Sequence, residues 1–180
     1  MHFCTRCGGP VSLRVPAGDS NLRHVCDVCG NIHYLNPKVV VGTLSEWEGK
    51  VMLCRRGIEP RYGLWTLPAG FMEMGETTAQ GALRETYEEA CARPELIDLF
   101  TLINVTHISQ IHMLYRARLL TPDFAAGEES LEVRLFDEAE IPWEQIAFRS
   151  MAATLRCYFE DRARGQFQFH PIDLPPPEAG

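Results

Sequence analysis

The stretch Gly70-Phe71-Met72-Glu73-Met74-Gly75-Glu76, running on to Arg84-Glu85-Thr86-Tyr87-Glu88-Glu89, carries the reading of this chain. Thr77 followed three residues later by Gln80 has the capping-box pattern, which sets a helix start there. Ala79, Ala82, Leu83, Thr86 and Ala90 recur at helical spacing and are expected to face a core, with Pro94 ending the helix. Glu85, Glu88 and Glu89 stand at i, i+3 and i+4 and therefore share one face. Like charges at this spacing destabilise a bare helix by roughly 0.2–0.5 kcal/mol per pair, and late in a helix the dipole disfavours anions as well. A divalent cation among them removes the conflict; taken alone, the triad is equally consistent with a solvated acidic face. Oxygen-only ligands suit Mg2+ or Mn2+ rather than zinc, and such an ion keeps positions open for water and substrate phosphates.

Outward from the helix, Val39 to Leu44 reads as a buried strand and Val51 to Cys54 as its neighbour, with Glu46 to Lys50 as a hairpin tip. Residues 57–75, rich in Gly and Pro, read as a loop. Leu96 to Val105 and Ile108 to Leu120 read as paired strands, Glu132 to Phe136 as a further short one, and Ser150 to Arg164 as a second helix with Met151, Leu155, Tyr158 and Phe159 on one side. The end of the chain, with Pro175-Pro176-Pro177, is expected to fray.

At the other extreme, Cys4-x2-Cys7 and Cys26-x2-Cys29 are separated by 18 residues. Two such knuckles at this distance match a tetrahedral Cys4 zinc site. With four sulfurs bound, no position is left for water, so the Zn2+ is expected to be structural. A redox role for either CxxC lacks a surrounding βαβ pattern, and His24 or His33 can replace a cysteine only if one sulfur is not used.

The chain has 180 residues, 46% hydrophobic and 23% charged, which suits one ordinary domain with a small appendage. A net charge of -7 argues against nucleic acid as a partner, because such affinity rests on neutralising phosphates. No apolar run approaches the roughly 18 residues that a membrane span requires, and the start of the chain does not read as a secretory signal. Seven cysteines, four of them in metal-binding spacing, point to a reducing compartment such as the cytoplasm.

The full spacing from Gly70 through Glu76 to Arg84-Glu85 and Glu88-Glu89 resembles the Nudix box, G-x5-E-x7-R-E-U-x-E-E-x-G-U, where U is a bulky aliphatic. Thr86, Cys91 and Ala92 depart from it, at an aliphatic, a glycine and an aliphatic position respectively. Gly63 to Gly70 is similar to the strand and loop that enter the box. With a ribbon in front, together with Asn36-Pro37-Lys38, Arg55-Arg56 and Glu129 to Glu132, the chain looks like the zinc-ribbon ADP-ribose and FAD pyrophosphatases; the motif typical of the NADH branch is absent. The resemblance implies an α/β/α sandwich around a mixed sheet, organised as a zinc ribbon over 1–36, the main domain over 37–168 and a tail over 169–180. It implies Mg2+- or Mn2+-dependent hydrolysis of a nucleotide diphosphate linkage, with ADP-ribose or FAD releasing AMP; NADH hydrolysis and non-catalytic nucleotide sensing are the alternatives. Glu85, Glu88, Glu89 and the Gly70 carbonyl would hold the metal, with Glu73, Glu129 and Glu132 as further candidates. Arg84 would orient the glutamates together with Glu76. Arg55 and Arg56 would face the diphosphate, although a solvated strand end explains them equally well. His107, Gln110 and His112 are placed near a nucleotide or in packing, and Trp65 and Trp143 in the core rather than on a base. A homodimer is expected from the same resemblance.

Overall fold

In the computed structural model, which describes residues 1–177, the chain divides into two compact units, Met1–Asn36 and a second that starts at Pro37. In the first, β1 (Val11–Arg14), β2 (Arg23–Cys26) and β3 (Ile32–His33) form an antiparallel meander. Its buried apolar residues are few: Cys4, Val25 and Cys26. A unit this small cannot bury enough surface to offset its chain entropy without a staple.

The second unit is built on β4 (Lys38–Trp47), β5 (Lys50–Arg56), β6 (Trp65–Thr66), β7 (Ala69–Phe71), α1 (Thr78–Ala90), β8 (Glu95–Val105), β9 (Gln110–Arg118), β10 (Ser130–Phe136), α2 (Arg149–Arg164) and β11 (His170–Asp173). The main path of the sheet runs β10-β5-β4-β9-β8-β11, with β6 on β5 and β7 on β4. It is mixed: β4 runs parallel to β9 and β8 to β11, and the other pairs are antiparallel. No helix among the described residues is long and apolar enough to cross a membrane.

The β4–β5 hairpin turns on Glu48 and Gly49, both at positive φ (49° and 81°), as a two-residue turn of the type that matches strand twist demands. The turn is tighter than the expected tip, so the strands reach Trp47 and start again at Lys50. Beyond the two pairs Glu46–Val51 and Trp47–Lys50 the strands part, and β6 and β7 fill the fork. This is where the structure departs from the expected plain loop over 57–75. Gly42 permits it: a side chain there would run into the Pro68 carbonyl and Ala69.

Successive residues of β5 supply two cores, as alternation requires. Val51 and Leu53 join Leu44, Trp65, Leu155 and Tyr158 under α2, whereas Met52 and Cys54 pack with Ala90, Ala92 and Leu119. Burial on both faces explains why these strands read as continuous apolar runs, and each fully buried large side chain contributes about 1.5–3 kcal/mol. The sandwich expected from the sequence is the one found.

Two further expectations need correction. The buried face of α1 is Gly81, Ala82, Glu85, Thr86, Glu89 and Ala90, while Ala79 and Leu83 are only half-buried. The helix is rotated toward its glutamates because Gly81 must meet β4; a Cβ there would collide with the Val41 side chain and the Glu76 carboxylate. The expected tail over 169–180 holds a strand, β11 at His170–Asp173, paired to Thr101–Asn104 of β8. Pro171 is tolerated because β11 is an edge strand, and Pro175 accepts a hydrogen bond from Arg149.

Candidate metal and diphosphate site

In the first unit the four cysteine sulfurs lie within 4.8 Å of one another. Cys4 and Cys29 are 3.8 Å apart, and Cys7 and Cys26 are 3.5 Å apart. A tetrahedral ion with Zn–S bonds of about 2.3 Å has sulfur–sulfur edges of about 3.8 Å, so the cage fits zinc. The knuckles are built alike. Gly8 donates to the Cys4 carbonyl at 2.9 Å and Gly30 to the Cys26 carbonyl at 3.1 Å, with both glycines at φ near 70° (72° and 71°), where a side chain is strained. The N–H groups of Cys29 and Val28 pull the Cys26 thiol down to about 6, which favours the thiolate that a metal binds. His33 sits 3.4 Å from the Cys4 sulfur, outside the four-sulfur set, and His24 takes no part in it.

The second unit holds a cavity of about 930 Å³, bounded on one side by α1 and on another by the start of β9 and the approach to α2. Arg84 organises the acidic wall. Its guanidinium donates to both Glu76 oxygens (3.0 and 2.7 Å), to Glu85 (2.8 Å), to Glu88 (2.9 Å) and to the Phe71 carbonyl (3.1 Å). The planar fork makes this possible and a lysine could not reproduce it. Glu76 also accepts from the Glu73 N–H and its carboxyl is held down at about 2, chiefly by Arg84. Glu76 therefore ties the loop to the helix, while Glu73, Glu85, Glu88 and Glu89 line the cavity. Gly70 lies against the Glu85 carboxylate, with no room for a side chain.

Burial raises the Glu85 carboxyl above its usual range. Burial pushes Glu89 further, to about 8, and the Glu85 charge adds to the shift while Arg56 opposes it. One Glu89 oxygen, Oε2, is buried without any partner. A buried polar atom left unpaired is costly, and a hard cation is the species that would satisfy it. Glu88 is the exposed member, at the rim. Among the described residues the cysteines form the only group of three or more metal-ligating side chains with ligand atoms within 4.8 Å. The glutamates line a space rather than converge on a point.

The departures from the box are accommodated locally. Thr86 bonds Thr43 and the Ala82 carbonyl, both at 2.7 Å, and Thr43 bonds Ser45 at 2.9 Å, so a buried hydroxyl chain replaces an aliphatic contact. Cys91 takes the left-handed conformation (φ 50°, ψ 18°) that a glycine takes freely, at a cost of about 1–2 kcal/mol. Helix α1 thus ends before Pro94.

Past Cys91, residues 125–129 fold back on the end of α1. Ala125 and Gly127 donate to the carbonyls of Ala90 and Glu89, both at 3.0 Å, satisfying groups that a helix end leaves free. Gly127 packs on the Glu88 carbonyl, and Gly57 donates to Glu129 at 2.7 Å. Glu128 and Glu129 are thereby set into the cavity wall. Glu132 is not: it lies 3.8 Å from Arg55, and neither residue lines the cavity. Strand parity separates Arg55 from Arg56 in the same way. Arg56 is buried, lines the cavity, donates to the Pro60 carbonyl and stacks over Phe148 at 5.1 Å. Gln110 and His112 line the cavity and His107 does not. Trp65 packs edge-on to Phe136 in the core, and Trp143 against Phe159. Glu128 and Phe148 were not anticipated, and Met151 was expected only on the packing side of the second helix. No local pattern marks them, although Glu128 beside Glu129 is a visible acidic pair.

Both units have counterparts among known proteins. A family model described as Nudix N-terminal, a zinc ribbon, matches residues 2–35, and the NUDIX domain model matches residues 35–156. The chain is 29% identical over 121 residues to an ADP-ribose pyrophosphatase of Methanocaldococcus jannaschii, covering 64% of this chain and 69% of that one. It is 32% identical over 132 residues to the NAD-capped RNA hydrolase NudC of Photobacterium profundum, covering 71% of this chain and 44% of that protein. It spans about half the length of the NAD-capped RNA hydrolases it matches. The crystal structure of a NUDIX hydrolase from Nitrosomonas europaea superposes with a TM-score of 0.92 at 56% identity, covering 97% of this chain and 99% of that one.

Proposed function

This chain is a member of the Nudix hydrolase family, and from that membership we propose that it cleaves the diphosphate linkage of an adenine nucleotide, ADP-ribose or FAD above all, releasing AMP. Water adds to one phosphorus as the P–O bond of the bridging oxygen breaks. ADP-ribose then gives AMP and ribose 5-phosphate, and FAD gives AMP and FMN. The observation that carries the reading is the unpartnered Glu89 oxygen, buried in a cavity that also presents Glu85, Glu129 and Arg56. A solvated acidic face would stand in water, whereas Glu85 and Glu89 are buried in the cavity wall beside Glu129.

Glu85, Glu88, Glu89 and the Gly70 carbonyl are the proposed ligands of Mg2+ or Mn2+, with Glu73 and Glu129 next to them. When bound, such an ion neutralises diphosphate charge and lowers the pKa of water. The remaining work falls to the chain. Arg84 holds Glu85 and Glu88 in place and fixes the loop through Glu76. Arg56, without a carboxylate partner among the described ion pairs, offers its terminal nitrogens to phosphate oxygens. The apolar wall of Val40, Phe148 and Met151 keeps water from the nucleoside end.

The kinship with proteins named NAD-capped RNA hydrolase favours a second reading, in which an NAD-type dinucleotide is cleaved at the same bond. A zinc-bound ribbon, a reducing compartment and a homodimer complete the proposal. A single-turnover panel of ADP-ribose, FAD, NADH and an NAD-capped oligonucleotide, read by release of AMP or of the 5'-monophosphate end, tests it. Fastest cleavage of ADP-ribose or FAD is expected; fastest cleavage of NADH or capped RNA establishes the second reading, and no cleavage of any overturns both.

A further inference from the structure

We propose that Gln110 reads the nucleobase: its carboxamide NH2 donates a hydrogen bond to an acceptor atom of the heterocycle, and His112 and Ser150 hold it in that orientation. The inference rests on the cavity being a nucleotide site and adds to that reading which residue recognises the base.

Three side chains from two elements form a chain of hydrogen bonds. Ser150 Oγ lies 2.9 Å from His112 Nδ1, and His112 Nε2 lies 2.9 Å from Gln110 Oε1. Its direction follows from the buried end. Ser150 is 3% exposed, and among the described residues its hydroxyl has no partner other than His112. Its proton therefore goes to Nδ1, since a buried donor left unused is costly. Nδ1 is then the acceptor, Nε2 carries the hydrogen, and that hydrogen must meet an acceptor. The Gln110 oxygen supplies it, which turns the NH2 group outward. Burial also lowers the His112 pKa to about 4, so the ring is neutral and has one nitrogen of each kind.

Gln110 lines the cavity, and its NH2 has no protein partner among the described residues. The wall around it differs from the acidic one. It is made of Val40, Ile108, Phe148 and Met151, which suit a flat heterocycle and not a sugar phosphate. Arg56, stacked on Phe148, joins this wall to the glutamates. A diphosphate between Arg56 and the acidic wall thus leaves the base beside Gln110. Gln110 would touch substrate, and His112 and Ser150 act through it as positioning residues.

The test measures binding of AMP and of P1,P2-diphenyl diphosphate, a diphosphate ester without a nucleobase, by calorimetry on the full chain. In Gln110→Met, of similar size but without donors, the ratio of AMP affinity to diphenyl diphosphate affinity is expected to fall about tenfold, the worth of one hydrogen bond. Ser150→Ala should lower the ratio several-fold, and Ser150→Thr should restore it. With ADP-ribose as substrate the loss falls on KM rather than kcat. A ratio within about twofold of the unmodified protein in Gln110→Met, or a loss in Ser150→Ala that Ser150→Thr does not rescue, overturns the inference. Unmodified protein that binds AMP but cleaves no diphosphate sinks the proposed reaction and leaves base recognition by Gln110 standing.

Discussion

The four sulfurs of residues 1–36 and the carboxylates around the cavity of the second unit are both candidate ligand sets, and they are held in opposite ways. The sulfurs converge: every pair is within 4.8 Å, glycine-assisted knuckles repeat the same geometry, and backbone N–H groups favour the Cys26 thiolate. The carboxylates ring a space. Arg84 restrains Glu85 and Glu88 from one side, burial raises Glu89, and one oxygen is left bare. A closed set whose surroundings have almost no apolar core exists for stability. An open set on a well-packed frame can keep positions free for substrate. On the proposed reading, the difference separates metal binding that is part of folding from metal binding that is part of chemistry.

The largest expected effect lies on the cysteine side. Structural zinc contributes about 10–16 kcal/mol of apparent binding energy that is also folding energy. Cys26→Ser, or removal of zinc with a strong chelator, should expose residues 1–36 to proteolysis while the second unit keeps its melting transition. Metal analysis should find about one zinc per chain. A protease-resistant first unit free of metal would break the comparison at its first half.

On the carboxylate side the expected loss is in rate and not in stability. Glu89→Gln should lower kcat about 10³-fold, or about 4 kcal/mol, with a melting temperature no lower than that of the unmodified protein, because the cost of burying an ionisable carboxyl is removed. Unfolding of this variant would place Glu89 among the structural groups with the cysteines.

His112 sharpens the contrast from within the cavity. Its folded pKa, about 4, lies below the roughly 6.5 of an unfolded chain. The unfolded state therefore binds the extra proton between those values, and stability rises with pH across that window. About 3 kcal/mol is expected to be lost as pH falls from 6.5 to 4, measured by urea unfolding of the second unit. His112→Phe should flatten the slope. A slope unchanged in that variant would assign the pH dependence elsewhere.

The arginine pair gives the smallest effect. Arg56→Ala should raise KM about tenfold or somewhat more, consistent with loss of one charge-assisted contact. Arg55→Ala should change it less than about twofold, because Arg55 is an exposed partner of Glu132. Equal effects would show that strand parity does not decide which arginine meets the substrate.

How much of this was legible in the sequence follows from how local each feature is. Cysteine spacing is local, and the sulfurs met as the spacing implied. The capping box at Thr77 and the joint placement of Glu85, Glu88 and Glu89 on one helix were local too. Which glutamates are buried was not, since that depends on Gly81 docking against Val41. Reading Ala79 and Leu83 as core missed the rotation, because small residues set the closest approach and apolarity alone does not. The strands β6 and β7 are two and three residues long and exist only because β4 and β5 diverge. The division between Glu129 and Glu132 turns on a glycine packed against the end of α1, and β11 on an edge offered by β8. Neither is a property of the segment that carries it.

The most direct test of the central claim is a titration of Mn2+ into the zinc-loaded protein with ADP-ribose present, followed by electron paramagnetic resonance. The account predicts saturable Mn2+ binding in the unmodified chain, lost when Glu85, Glu88 and Glu89 are all changed to glutamine while zinc content and fold persist. Undiminished Mn2+ binding in that triple variant would contradict it.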